Sequence, residues 1–225
     1  MRKTLSNWLK GFATEELRID PSEFADPVAM ETEWSRLKQG GANFQTHRLI
    51  RVDRSRMEFK ASMGAKLFGM IFLIVGLGIT IGFSVQQFSS GRFSPTVHNI
   101  LSVSFGLLFA IAGGVLLYTF TAPIVFDRQS EYFWKGRKIP NETFDKKSIK
   151  EYAKLVDIHA IQLISECCRG NKSSYYSYEL NLVLKDGKRV NVVDHGNHDK
   201  LCEDAEALSQ FLERPVWNGI GGKVG

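Results

Sequence analysis

The amino-acid sequence predicts an α+β membrane protein: a two-helix transmembrane hairpin carrying a cytosolic antiparallel β-sheet domain closed by a C-terminal helix. Three observations lead to this class. Two apolar runs, Leu67–Val85 and Ile100–Phe120, contain no Asp, Glu, Lys or Arg and stand a short linker apart. Segments on both sides of these runs alternate between apolar and polar residues in the manner of half-buried strands. Near the C-terminus, His198 to Leu212, the apolar spacing changes to that of a helix.

The bulk composition narrows the function classes. At 225 residues, the chain has a mean hydropathy of -0.14, an average over two apolar runs and a polar remainder. A net charge of +5 and a pI near 9.1 raise the question of nucleic acid, but the basic residues gather beside the apolar runs and are not interleaved with aromatics. No nucleic-acid partner is expected; a lipid bilayer accounts for the charge. Cys167, Cys168 and Cys202 offer no disulfide framework, since neighbouring cysteines pair only with strain, and a reducing compartment follows.

Taken in chain order, residues 1–43 read as N-terminal cytosolic helices. Leu5, Trp8, Leu9 and Phe12 fall on one helical face, with Arg2, Lys3 and Lys10 elsewhere, the pattern of a helix lying in a membrane interface or capping a domain. A second helix is predicted from Pro27 to about Gln39, with Asp26 as N-cap and Gly40-Gly41 as stop. Residues 44–65 form a juxtamembrane β-hairpin, apolar at Leu49, Ile50, Val52, Met57 and Phe59 around a polar Asp53-Arg54-Ser55 centre.

Residues 66–120 hold the transmembrane hairpin. Spans 67–85 and 100–120 match the roughly 20 residues a helix needs to cross a hydrocarbon core. The linker from Gln86 to Asn99 is too short for anything but an antiparallel pair with both flanks on one side. Arg48, Arg51, Arg54, Arg56, Lys60 and Lys66 precede the first span, and Arg128, Lys135, Arg137 and Lys138 follow the second, so both termini are placed in the cytoplasm. The first six are the candidate membrane-surface residues, each worth roughly 1 kcal/mol near an anionic leaflet. Gly78 and Gly82 in the first span, and Gly106, Ala110 and Gly114 in the second, recur every four residues and are the candidate helix-packing positions, within the pair or toward a second protomer. Absence of ionisable residues from both spans argues against a carrier.

Residues 121–217 read as the cytosolic β domain, followed by a flexible tail over 218–225. Pro123–Phe126 and Tyr132–Trp134 flank a turn at Asp127-Arg128-Gln129-Ser130, and Gly136 permits a further bend. Lys147–Glu166 is open: Ile149, Tyr152, Ala153 and Val156 fit a helix, while Ile158 to Ile164 fits a strand. Gly170 to Ser174 is a polar turn. Tyr178–Asp194 is a hairpin, with Leu180, Leu182 and Leu184 alternating up to an Asp186-Gly187 turn, and Val190 and Val192 on the return. In the final helix Leu201, Ala205, Leu208, Phe211 and Leu212 share a face, and Asn197 has the chemistry of its N-cap.

VVDHGNHDKLC, residues 192–202, brings His195, His198 and Cys202 close in sequence. Zinc would need them to converge with a fourth ligand that is not evident, so the segment is read as a strand-to-helix turn and no metal or other cofactor is expected. Cys167-Cys168 with His159 lacks an orienting third group, and no phosphate loop or nucleophile elbow occurs, so no catalytic residue is expected.

Two spans followed by FDRQSEYFWKGRK, DIHAIQLISE, YSYELNLVLKDGKRVNVVDHG and a helix ending LSQFLERPVW resemble a group of bacterial inner-membrane proteins of uncharacterised role, over Phe44 to Trp217. The resemblance implies a pleckstrin-homology-like cytosolic domain in a multi-pass protein of the bacterial inner membrane, with strands before and after the spans in one sheet. The layout is also similar in outline to the photosystem I assembly proteins of cyanobacteria and chloroplasts, whose soluble domain acts as a platform. No functional residue carries over from either likeness. The expectation is a non-enzymatic interaction or assembly platform with other membrane proteins, or itself, as partner; the alternative is a small oligomeric transport or pore component.

Overall fold

The computed structural model describes residues 19–37, 41–89, 97–140, 151–169 and 174–221. They divide into two compact units, one from Met1–Lys60 with Pro123–Gly225 and one from Ala61–Ala122. The amphipathic stretch at residues 1–12, half of the linker between the apolar runs (90–96) and the turn at 170–173 lie outside the described residues.

The first unit is built of two sheets. One has the order β1 (His47–Arg51), β2 (Arg56–Ala61), β3 (Ile124–Asp127), β4 (Tyr132–Lys135) and β5 (Tyr152–Lys154). Phe59 pairs with Ile124 and Met57 with Phe126, so the strand entering the apolar runs is stitched antiparallel to the strand that leaves them. The other sheet comprises β6 (Ile158–Arg169), β7 (Ser174–Leu184), β8 (Arg189–His195) and β9 (Val216–Asn218), in the order β8-β7-β6-β9. Gly187, at φ +77, makes the β7–β8 turn that the Asp186-Gly187 pair predicts.

Alternation along these strands sends Met57, Phe59, Ile124, Phe126 and Phe133 from one sheet, and Ile161, Leu163, Leu180, Leu182 and Val192 from the other, into one shared core. Among the described residues of this unit, the α-helix α1 (Pro27–Glu31) lies near the start of the chain. The C-terminal one, His198–Leu212, closes the core with Leu201, Ala205, Leu208 and Phe211. Leu201, Leu208 and Phe211 each contribute about 2 kcal/mol on burial. Asn197 caps the C-terminal helix, its side chain accepting from the Lys200 N–H at 3.1 Å.

Two expectations are corrected and one open segment is decided. The helix expected to reach Gln39 ends at Glu31, because Trp34 turns back to donate from its indole to the Ala29 carbonyl and to stack on Phe24 beside Trp217. The open segment around Tyr152 is a strand: Tyr152 pairs with Trp134, which leaves Ala153 in the core and Tyr152 beside Tyr132 on the opposite face. The tail expected from residue 218 begins later, since Val216 to Asn218 runs parallel to Ile161 to Leu163 and the Gly219 N–H donates to the Leu163 carbonyl.

The second unit is a pair of helices, α2 (Met63–Ser89) and α3 (Val97–Phe120); the C-terminal helix of the first unit is α4. Ser62 caps α2, its hydroxyl accepting from the Ala65 N–H. The two helices run antiparallel, for Gly69 meets Leu117 near one end while Gly106 meets Thr80 nearer the other. Phe72 and Phe109 stack between them at 5.7 Å. Leu67, Ile71, Ile74, Ile81, Leu101, Leu108 and Val115 are exposed, so the outer surface of this pair is apolar.

Candidate functional site

The small residues of α2 and α3 split into two sets. Gly76, Gly106, Ala110 and Gly113 lie at the contact: a Cβ on Gly113 would stand 2.3 Å from the Leu73 nitrogen, and one on Gly106 2.8 Å from the Thr80 nitrogen. Of the predicted packing positions, Gly106 and Ala110 are therefore inside the pair, whereas Gly78, Gly82 and Gly114 have nothing within 4 Å. Gly69, Gly76 and Gly113 were missed, since a spacing of four defines a face without saying which way it points. Thr80 and Ser84 return their hydroxyls to carbonyls one turn back, the ordinary means of satisfying such groups in an apolar helix.

The basic residues split likewise. Arg48, Arg51, Arg54 and Lys60 are exposed on the β1–β2 hairpin and Lys66 is partly exposed on α2. Arg56 is committed inside the fold: its guanidinium donates to Glu58 at 2.7 Å, reaches Asp127 at 3.5 Å and lies over the Trp134 ring at 5.6 Å. Asp53 accepts from Ser55 N–H and O–H; these bonds hold its carboxyl below the usual range, so it stays charged and offsets part of the hairpin's positive charge.

His195, His198 and Cys202 do not converge. His195 is fully buried, with Nδ1 against the Asn197 backbone, and burial pulls its pKa down. His198 and Cys202 do meet on the first turn of α4, Sγ to Nε2 at 3.7 Å, with Asp199 on the other imidazole nitrogen at 2.8 Å. Burial and the nearby Asp199 and Glu206 push the Cys202 thiol up, which is opposite to what a nucleophile requires. Among the described residues no group of three or more His, Cys, Asp or Glu could hold a metal ion. His159 is engaged by Asp26 at 2.8 Å and by the Trp217 edge, while Cys168 stands opposite Tyr175 in the β6–β7 ladder.

Two polar clusters have no local sequence signal. In the first, His47 of β1 lies near His195 and Lys135, and burial with these neighbours lowers it to about 4; Asp204 of α4, under the Leu49 backbone N–H, is raised by burial to about 6. The second is the face of β6–β7–β8 turned away from the core. Gln162, Glu166, Ser177, Glu179, Asn181 and Asn191 are all buried there, although every one is polar. Asn181 donates to Glu179, Asn191 donates to Asn181 and Asp194, and Lys135 donates to Asn191. Residues 33–37 and 41–46 lie across this face and account for its burial. No protein-family model, curated protein or solved structure matches the chain.

Proposed function

We propose that this is a non-enzymatic membrane-anchored platform: α2 and α3 form a transmembrane hairpin in a bacterial inner membrane, and the β unit is a pleckstrin-homology-like cytosolic domain that docks other membrane proteins. The observation that carries the reading is the surface of α2 and α3. Within the two span-length helices only 11% and 17% of the most apolar windows is buried, where a helix in a soluble core would be mostly covered. Hydrocarbon is the solvent that such a surface matches. Two antiparallel-rich sheets around one core, closed by α4, support the domain assignment, with β9 as a departure from a helix-terminated fold. Exposed arginines on the β1–β2 hairpin, a short chain distance from α2, support a cytoplasmic placement of both flanks.

Alkaline carbonate extraction followed by protease digestion of spheroplasts and of inverted vesicles tests the topology. The chain stays in the membrane pellet, and α4 is cut only in inverted vesicles. Release by carbonate, or cleavage of α4 from outside, refutes it. A hydrolytic or transferase activity abolished by one point substitution would refute the non-enzymatic part. A small oligomeric pore is the second reading, favoured by the open Gly78, Gly82 and Gly114 positions; ion flux in liposomes containing the purified chain decides between the two.

A further inference from the structure

Residues 19–37 and 41–46 cover the rest of the first unit in two chemically different ways. Up to Trp34 the contact is apolar: Phe24, Ala29 and Trp34 pack with Ala160, Val183 and Trp217. From Glu33 onward, Trp34 apart, the contact is almost wholly polar. The Glu33 and Ser35 carbonyls accept from Gln162 and Arg189, the Leu37 N–H donates to Glu179, and the Gly41 carbonyl accepts from the Tyr175 hydroxyl. The Phe44 carbonyl accepts from the Gly196 N–H, and the Thr46 hydroxyl donates to the Asp194 carbonyl. Arg36 forms an ion pair with Glu166, whose side chain is only 5% exposed.

We propose that this polar face is a groove for an extended, arginine-bearing peptide segment of a partner protein, and that residues 35–37 and 41–46 are a strap covering it in cis. Most of the strap's bonds use its main chain, which any extended peptide presents, so the groove is tolerant of sequence. Glu166 is the exception. A buried carboxylate there demands a cation, and a guanidinium meets it with matched geometry. Lifting the strap uncovers amides and carboxylates that water can solvate and takes little apolar surface out of contact, because Leu37 and Phe44 are already 40% and 49% exposed. Trp34 and β1 hold the strap at both ends, so it can bow outward without unthreading. Ser177 points the same way: its Oγ is buried under Gly41, where a Cβ would stand 2.0 Å from it, and it has no hydrogen-bond partner among the described residues. The cis occupant leaves it unused.

The groove would give the platform its docking site, and it rests on that reading for its use; peptide capture, however, is measured in micelles, so it stands or falls separately from topology. The probe is a fluorescein-labelled synthetic peptide with the sequence of residues 33–46, added to the full-length chain in detergent and followed by anisotropy. Arg36→Ala and Leu37→Pro each loosen the strap through a different contact and leave the groove intact. Both variants capture the peptide at least tenfold more tightly than the wild-type chain. Replacing the peptide's arginine by alanine, or adding Glu166→Gln to the Leu37→Pro chain, removes that gain. Capture that is no tighter in the loosened variants, or is indifferent to the arginine and to Glu166, overturns the proposal. Hydrogen exchange accompanies the binding: amides at 41–46 exchange faster in both variants while β6 and β7 stay protected, and a loss of protection spreading into β6 and β7 overturns the strap as a separable element. Peptide capture by a chain that sediments as a dimer would assign the groove to a second copy and overturn the partner-protein occupant.

Discussion

Gly76 of α2 and Ala110 of α3 meet main chain to main chain: a Cβ on Gly76 would lie 2.2 Å from the Ala110 nitrogen and 2.7 Å from the Gly106 oxygen. Backbone cannot yield as a side-chain tip can, so Gly76→Val forces the helices apart. Overpacking of this kind costs about 2 kcal/mol, or about 5 °C in the midpoint of thermal unfolding. Gly78→Val, two residues on, meets nothing within 4 Å and leaves the midpoint unchanged. Scanning fluorimetry of the two variants in one detergent checks the pair, and equal midpoints would contradict this packing.

Arg56 and its exposed neighbours respond differently to loss of charge. Arg48→Gln, Arg51→Gln and Arg54→Gln combined leave the fold intact and weaken the preference for anionic lipid by about 1 kcal/mol per residue, the worth of a basic group at such a leaflet. Arg56→Gln instead breaks the hydrogen bond to Glu58, itself buried, and the contact over Trp134, and costs about 2 kcal/mol of stability. Lipid co-purified with each variant, weighed against its urea midpoint, separates the two effects. An Arg56→Gln variant as stable as the wild type would show the pair to be incidental.

Legibility in the sequence followed the range of the interactions. The Asp186-Gly187 turn, the Asn197 cap and the two apolar runs are local signals, and each is found where its residues say. The alternation of Met57 and Phe59 with Ile124 and Phe126 also announced strands on both sides of the apolar runs. What stayed hidden depends on distant partners. Trp34 ends its helix because of Trp217, and β9 exists because β6 offers a free edge at Ile161 to Leu163. The strap is bound to residues more than a hundred positions away, and polar residues on strands such as Glu179 and Asn181 read locally as a solvated face. Gly78 and Gly82 look like a contact pair until the register of α3 is known.

The first turn of α4 separates a structural role from a chemical one. Asn197→Ala removes the acceptor of the Lys200 N–H and costs about 1 kcal/mol. His198→Ala and Cys202→Ser, at a largely exposed contact of 3.7 Å, change stability by less than about 0.5 kcal/mol. Urea titration of the three variants gives the order, and zinc measured in the purified wild-type chain stays at background. Stoichiometric zinc lost in Cys202→Ser would restore the metal reading.

His47 and Asp204 make stability depend on pH with opposite signs. Burial, Lys135 and His195 lower His47 from an ordinary 6.5 to about 4, so the unfolded chain holds a proton there that the folded chain lacks. Its contribution is complete above pH 6.5 and is lost as pH falls toward 4. Asp204 is raised by burial from 3.8 to about 6, so the folded chain is the one holding the extra proton, and stability from this group falls as pH rises between those values. Over pH 4 to 6 the two slopes oppose each other and the wild-type curve is shallow. Asp204→Asn keeps the shape and removes the opposing slope, leaving a rise of about 2 kcal/mol between pH 4.5 and 6.5, a figure reduced from the full shift because water still reaches part of the His47 ring. It also stabilises the chain at pH 7 by about 1 kcal/mol, again discounted for the partial exposure of the carboxyl. His47→Gln acts the other way and turns the slope downward with rising pH, to the extent that His195, which burial lowers as well, does not offset it. Urea unfolding at half-unit steps from pH 4.5 to 7 measures all three curves; a slope in Asp204→Asn no steeper than in the wild type would mean that the Asp204 carboxyl is solvated in the folded chain.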